Sequence, residues 1–257
     1  MGRVILLGTG DPINWERVQT SLAVPFESGE VMLFDASSGT VLLGQLEAAG
    51  IPIQSVRHLF VSHAHFDHVG GLAPLLVGMT PLPEASLAVH ATPGTLRALR
   101  ELLALTIPGV ESWLGGRLTW RELALGEAVG VNNAEITPFR TNHALGCVGF
   151  RVALGGSTMV YAADTGPCAE VVENAREVEL LIHEAYGPAD EAERAHALGH
   201  SSASEAGGVA RAAGARRLVL THFRASRFAN PKELVAEAAS AFGGPVEAAR
   251  DLDAFDF

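Results

Sequence analysis

Residues 63–68 read HAHFDH and place His63, His65, Asp67 and His68 within six positions, directly after the apolar run Leu59-Phe60-Val61. In an extended segment residues i and i+2 share a face, so His63 and His65 point the same way. Asp67 and His68 then fall on the turn ahead of Val69-Gly70-Gly71-Leu72. Nitrogen and oxygen donors with no thiolate among them suit a catalytic zinc rather than a structural one. Four donors exceed what one catalytic metal takes from a protein, so two metals are expected. A polar turn rich in histidine explains one His readily, but not three with an Asp in so short a run.

The elements that must carry this motif are legible on either side of it. Residues 3–7 read as a buried strand ending in the turn Gly8-Thr9-Gly10-Asp11-Pro12. A dinucleotide loop there is improper, because Ile13 stands where a third glycine belongs and no helical pattern follows. Further strands are expected at 18–25, 31–35, 57–61 and 86–90, and helices at 39–49, 69–78 and after Thr92-Pro93, an N-cap followed by a first-turn proline. Residues 105–116, with the breakers Pro108, Gly109, Gly115 and Gly116, read as a loop. Strands are expected at 117–123, 134–141, 147–154 and 158–163, the last two joined by a Gly155-Gly156 hairpin turn. Strands at 178–183 and 217–221 then alternate with helices at 203–213 and 231–241. Ser202 with Glu205, and Asn230 with Glu233, have capping-box spacing. With no linker or repeat, residues 1–257 read as a single domain of α/β (α+β) type, strands inside and helices outside.

Composition narrows the function classes. Of 257 residues 48% are hydrophobic, enough for a substantial core, and 18 Lys and Arg against 29 Asp and Glu give a formal charge of −11. That balance disfavours broad attraction to nucleic acid or anionic membrane. Cys147 and Cys168 fit no metal or redox spacing, and Cys168 reads as an ordinary buried thiol. The longest uncharged run, 69–83, contains prolines and glycines and is too short to span a membrane. A cytoplasmic protein without a membrane partner is expected.

More polar residues close later strands: His143 after 134–141, Asp164 in YAADTGP and His222 in LVLTHF. Each alone reads as a hydrogen-bonded turn residue. Together they supply what HAHFDH lacks, since two metals need six or more donors and a carboxylate such as Asp164 can bridge. His183 and Glu184 end another strand, and His200 precedes the helix at Ser202. Glu184 could orient and charge His200 as a proton donor. His58, His90 and His196 read as core or surface residues.

HxHxDH, then a lone His, an Asp in a DTG context and a late His, resembles the metallo-β-lactamase superfamily. Gly8-Thr9-Gly10, Asp164-Thr165-Gly166-Pro167, His183-Glu184-Ala185, Gly199-His200-Ser201 and Thr221-His222-Phe223 narrow the resemblance to the ribonuclease Z branch. The resemblance implies a four-layer αββα sandwich and two divalent metal ions, zinc first with manganese or iron as substitutes. It puts His63, His65 and His143 on one ion, Asp67, His68 and His222 on the other, and Asp164 between them. It implies attack of hydroxide on phosphorus with Asp67 orienting the nucleophile and His200, paired with Glu184, protonating the leaving oxygen. A homodimer is implied too.

One departure bears on the substrate. Branch members that process transfer RNA carry a long flexible arm between the equivalents of His143 and Asp164, an interval of 21 positions here. A small or accessible phosphodiester is therefore expected rather than a folded transfer RNA. Hydrolysis of a carboxylic ester, lactone, β-lactam or sulfate ester is the first alternative. An iron-binding redox protein on the same fold is the second. Residues 105–116, with Trp113, and 186–198 are expected to flank the pocket.

Overall fold

A computed structural model describes residues 2–226 and 229–257. Among them the strands form two seven-stranded sheets. The first contains β1 (Arg3–Gly8), β2 (Ser21–Pro25), β3 (Val31–Phe34), β4 (Val56–Phe60), β5 (Leu87–Ala91), β6 (Leu118–Glu122) and the last strand, β14 (Ala254–Asp256), in the order β14-β1-β2-β3-β4-β5-β6. The second contains β7 (Val129–Val131), β8 (Ala134–Arg140), β9 (Val148–Leu154), β10 (Ser157–Tyr161), β11 (Leu180–Glu184), β12 (Leu218–Thr221) and β13 (Val246–Ala248), in the reverse order, β13 through β7.

The sheets face each other across a core drawn from both, including Leu22, Phe34 and Phe60 from one and Phe150, Tyr161 and Ile182 from the other. The Phe34 and Phe150 rings lie 5.2 Å apart across that interface. Helices α1 (Val41–Ala48), α2 (Phe66–Val69), α3 (Leu72–Met79), α4 (Pro93–Thr106) and α5 (Val110–Leu114) follow the strands of the first sheet. They bury apolar residues such as Leu42, Val69, Leu75, Leu99 and Leu114 with the outward residues of that sheet. Helices α6 (Ala169–Asn174), α7 (Ala192–Ala197), α8 (Ala203–Ala213) and α9 (Pro231–Phe242) belong to the second half, where Val171, Val209 and Leu234 pack with Leu181 and Leu218. The fold is the αββα sandwich. No helix among the described residues is long and apolar enough to cross a membrane.

The sheet topology explains why the polar residues converge. β3 through β6 are parallel, as are β10 through β13, while β8, β9 and β10 alternate in direction. The C-terminal ends of β3, β4, β8, β10, β11 and β12 therefore meet along one edge of the sandwich, where ligands gather in parallel sheets. Asp35, His63, His143, Asp164, Glu184 and His222 all follow or close those strands.

Three local expectations need correction. Residues 105–116 are not a loop: α4 runs to Thr106, and Gly109, at φ +94°, only interrupts the chain before α5. Val110 and Leu114 are buried, so tertiary packing overrides the density of breakers. Because β5 and β6 are parallel, this segment connects at the edge opposite the converging strand ends, so Trp113 does not flank the site. Thr92 stands at the N-cap of α4, but its hydroxyl bonds the Thr95 side chain and caps no backbone N–H. Ser202 and Glu205 form the full capping box, whereas Asn230 accepts from Lys232 and bonds the Glu233 side chain.

His58 and His90 are not isolated residues. His58 Nδ1 lies 3.1 Å from His90 Nε2, and the His90 ring stacks on Phe60 at 4.3 Å. Burial, with His58 and Arg121 beside it, holds His90 at about 4, and burial also lowers His58. His90 is thus neutral in the fold, while the unfolded chain takes up its proton near the ordinary imidazole value. Stability is lost as pH falls between those two values. For metal-free protein, His90→Gln is expected to reduce the loss of unfolding free energy between pH 7 and pH 4.5 by about 2–3 kcal/mol, read from denaturant midpoints at both pH values.

Candidate metal centre and active site

The strand ends bring together three overlapping groups of possible metal donors: His63, His65, His143 and Asp164; Asp67, His68 and His222; and Asp164, His200 and His222. In the first, His63 Nε2 and His65 Nδ1 are 2.8 Å apart, and His65 Nδ1 and His143 Nε2 are 3.3 Å apart. Asp164 Oδ2 lies 3.7 Å from both His63 Nε2 and His143 Nε2. In the second, Asp67 Oδ2 lies 3.3 Å from His68 Nε2 and 3.4 Å from His222 Nε2. Asp164 Oδ1 lies 3.4 Å from each of the same two nitrogens. Asp164 thus turns one oxygen to each group.

These groups fit divalent cations. Ligand atoms bound to one tetrahedral zinc at about 2.0–2.1 Å are separated by roughly 3.3 Å, close to most of the spacings above. His68 Nε2 is buried and has no hydrogen-bond partner. Its other nitrogen donates to Asp35 Oδ2 at 2.8 Å, which leaves a lone pair on Nε2 facing two carboxylates. His143 Nδ1 likewise donates to the Gly199 carbonyl at 2.8 Å and presents Nε2 to the centre. Such anchoring of the remote nitrogen is the usual support of a metal-ligating imidazole. All the facing atoms are nitrogen or oxygen, a set that accepts zinc, manganese or iron.

Without a cation the carboxylates draw charge onto the imidazoles. Burial opposes ionisation of Asp67 and Asp164, but His68 and His222 hold both well below the usual carboxylate range. Burial likewise opposes charging of His222, yet Asp164 and Asp67 push it up to about 9. Burial and the neighbouring His68 lower His63.

His200 sits beside this cluster. Its Nδ1 donates to Glu184, 2.9 Å from Oε1 and 3.1 Å from Oε2, and its ring stacks against Tyr186 and His222. Glu184 is buried and also accepts the Thr165 N–H at 2.6 Å. Burial opposes charging of His200, but Glu184 outweighs it and raises its pKa above the ordinary imidazole value. His183, though next in sequence, turns away and bonds the Glu184 carbonyl through Nδ1.

Asp35 is the residue that sequence reasoning passed over. Its Oδ2 accepts from His68 Nδ1, from the Tyr161 hydroxyl at 2.8 Å and from Ser62 Oγ at 2.8 Å, while Oδ1 accepts the Ser62 N–H at 2.7 Å. Ser62 Oγ in turn lies 3.0 Å from His63 Nδ1. One buried carboxylate therefore orients a histidine of each donor group. Its only sequence signal is an Asp directly after the apolar strand VMLF. Gly199 is the other residue not singled out by function: at φ +77°, a Cβ there would stand 2.8 Å from His143 Nδ1. Cys168 is half-buried rather than buried, 3.6 Å from the Thr165 hydroxyl. Cys147 is buried beside His63, and burial raises its thiol pKa strongly.

The family model described as "Beta-lactamase superfamily domain" matches residues 31–223. Ribonuclease Z of Haloarcula marismortui is 30% identical over an alignment covering 97% of this chain and 94% of that protein. That alignment runs over 301 positions against a chain of 257 residues, so the relative carries segments that this chain lacks. Among solved structures, the metallo-β-lactamase fold protein YhfI from Bacillus subtilis superposes with a TM-score of 0.86 at 22% identity, covering 99% of this chain and 98% of that one. The short form of human tRNase Z superposes with a TM-score of 0.79, also at 22% identity and with the same coverage. The chain belongs to the metallo-β-lactamase superfamily and is a metal-dependent hydrolase of its ribonuclease Z branch.

Proposed function

We propose that the protein is a dinuclear, zinc-dependent phosphodiesterase acting on a small or accessible phosphodiester, and that it works as a homodimer. The observation that carries this reading is the pair of donor groups sharing Asp164 with the hydrogen-bonded His200–Glu184 pair beside them. We assign His63, His65 and His143 to one ion, Asp67, His68 and His222 to the other, and Asp164 to both. Bound there, two divalent cations supply Lewis-acid polarisation of the phosphoryl oxygens and a competent nucleophile near neutral pH.

The chain's own residues complete the reaction. Asp67, an acceptor held by His68 and His222, orients the attacking water toward phosphorus. His200, whose pKa Glu184 raises, gives its Nε2 proton to the departing oxygen as the P–O bond breaks. The water oxygen stays on phosphorus, so the products are a phosphomonoester and an alcohol. Glu184 acts through His200 and is a positioning residue. The choice of a small diester over folded RNA, despite relatives named ribonuclease Z, is supported by the chain between His143 and Asp164, where β9, β10 and the Gly155-Gly156 turn fill the interval.

The test is a turnover panel with metal-loaded protein: bis-p-nitrophenyl phosphate beside p-nitrophenyl acetate, a lactone, a β-lactam and an aryl sulfate. The expected result is preferential cleavage of the diester. Turnover of an ester, lactone, lactam or sulfate with no diester cleavage would overturn the assigned bond.

A further inference from the structure

Large apolar side chains stand exposed on the segments that carry the site. Phe66 is 62% exposed between His65 and Asp67, Leu145 is 60% exposed two residues after His143, and Leu198 is 52% exposed two before His200. The backbone segments that carry the three meet at the candidate donors. His143 Nε2 meets His65 Nδ1 at 3.3 Å, and His143 Nδ1 bonds the carbonyl of Gly199, the neighbour of Leu198. Ile13, 60% exposed, lies on a loop tied to the strand end beyond His222, since Asp11 N–H and Asn14 Nδ2 both donate to the Phe223 carbonyl.

Scattered exposed apolar residues need no explanation, but their recurrence on each segment that carries a candidate donor does. Leu145 sharpens the point. Its φ of +55° is a left-handed conformation that strains a residue with a Cβ, and glycine or asparagine would relieve it. Leu145 is 60% exposed in that conformation, and such strain is retained where the surroundings need it. The same segments, 11–15, 63–68, 142–146 and 196–200, contain no Lys or Arg. A polyanionic backbone would need such cations.

We propose that Phe66, Leu145, Leu198 and Ile13 form an apolar rim that holds the non-leaving organic group of the substrate, which is a monoanionic phosphodiester bearing an alkyl or aryl substituent. This inference rests on the phosphodiesterase reading. Apolar pocket walls with few polar groups are the common design of small-molecule sites. The rim selects for the substituent, while the shared donor groups act on phosphorus.

The test uses p-nitrophenyl phosphodiesters that differ only in the second substituent: methyl, hexyl and phenyl. The leaving group, and so the chemistry at phosphorus, stays constant. Each methylene fully withdrawn from water is worth about fourfold, so a half-open rim is expected to raise kcat/KM from methyl to hexyl at least about tenfold. Leu145→Asn, Leu198→Ser and Phe66→Ser are expected to lower the hexyl-to-methyl ratio, with folding and metal content checked by circular dichroism and elemental analysis. Leu145→Asn also removes backbone strain, so a loss of selectivity there cannot be ascribed to unfolding. A flat series would overturn the rim and leave the phosphodiesterase reading intact. So would a preference for an RNA 3′ extension over the hexyl diester, or a rim buried between two subunits. No turnover of any diester would overturn both.

Discussion

Replacing His200 by alanine is expected to lower kcat on a phosphodiester with a poorly activated leaving group by about 10²–10⁴-fold, the range for loss of a positioned general acid. His200 combines what that role requires: a half-buried ring beside the donor groups, Nδ1 bonded to Glu184 at 2.9 Å so that Nε2 is left to carry the transferable proton, and a pKa raised above its ordinary value. The loss is expected to be smaller for p-nitrophenyl esters, whose leaving oxygen needs little protonation. A defect of the same size for alkyl and p-nitrophenyl leaving groups would mean that His200 serves structure or metal binding instead. Glu184→Gln keeps the buried shape and removes the charge. It is expected to shift the high-pH limb of the kcat–pH profile, where His200 loses its proton, to lower pH, because the imidazolium loses its partner.

The second large effect is expected at Asp164. Asp164→Ala removes one oxygen from each donor group and leaves His68 and His222 without the carboxylate that most raises them. Loss of a partner that merely supports a ligand lowers metal affinity about 10–100-fold, so removal of a shared donor is expected to exceed that. Leaving buried charge uncompensated in the metal-free state costs about 3–5 kcal/mol, and the thermal midpoint of metal-free protein is expected to fall accordingly. Metal per chain after dialysis and a thermal melt read both effects. Unchanged metal content in Asp164→Ala would remove Asp164 from the centre.

The residues that converge at the strand ends were legible as candidate donors because they cluster in the chain or close recognisable strands. HAHFDH needs only the two-residue period of a strand to align His63 with His65. His143, Asp164 and His222 carry little signal singly and acquire it from their common place at strand ends. Asp35 stayed hidden for the opposite reason: its partners are Ser62 beyond the end of β4, His68 on α2, and Tyr161, which lies 126 residues away. Nothing near Asp35 in the chain announces those bonds. The positive φ of Asp35, Ala163 and His222 was equally silent, since none is a glycine and the conformation is imposed by the packed strand ends. The α5 segment misled through its glycines and Pro108, while the burial of Val110 and Leu114 that decides its structure is tertiary. Strands β7, β13 and β14 are three residues each and too short to show an alternation.

The central claim, that two cations held by one shared carboxylate make this protein a phosphodiesterase, is tested most directly by metal titration of chelator-stripped protein. Diester hydrolysis is followed against metal bound per chain. Activity is predicted to be absent without metal and to reach its plateau only as about two zinc ions bind per chain. Full activity at one ion, or activity that survives complete metal removal, would contradict it.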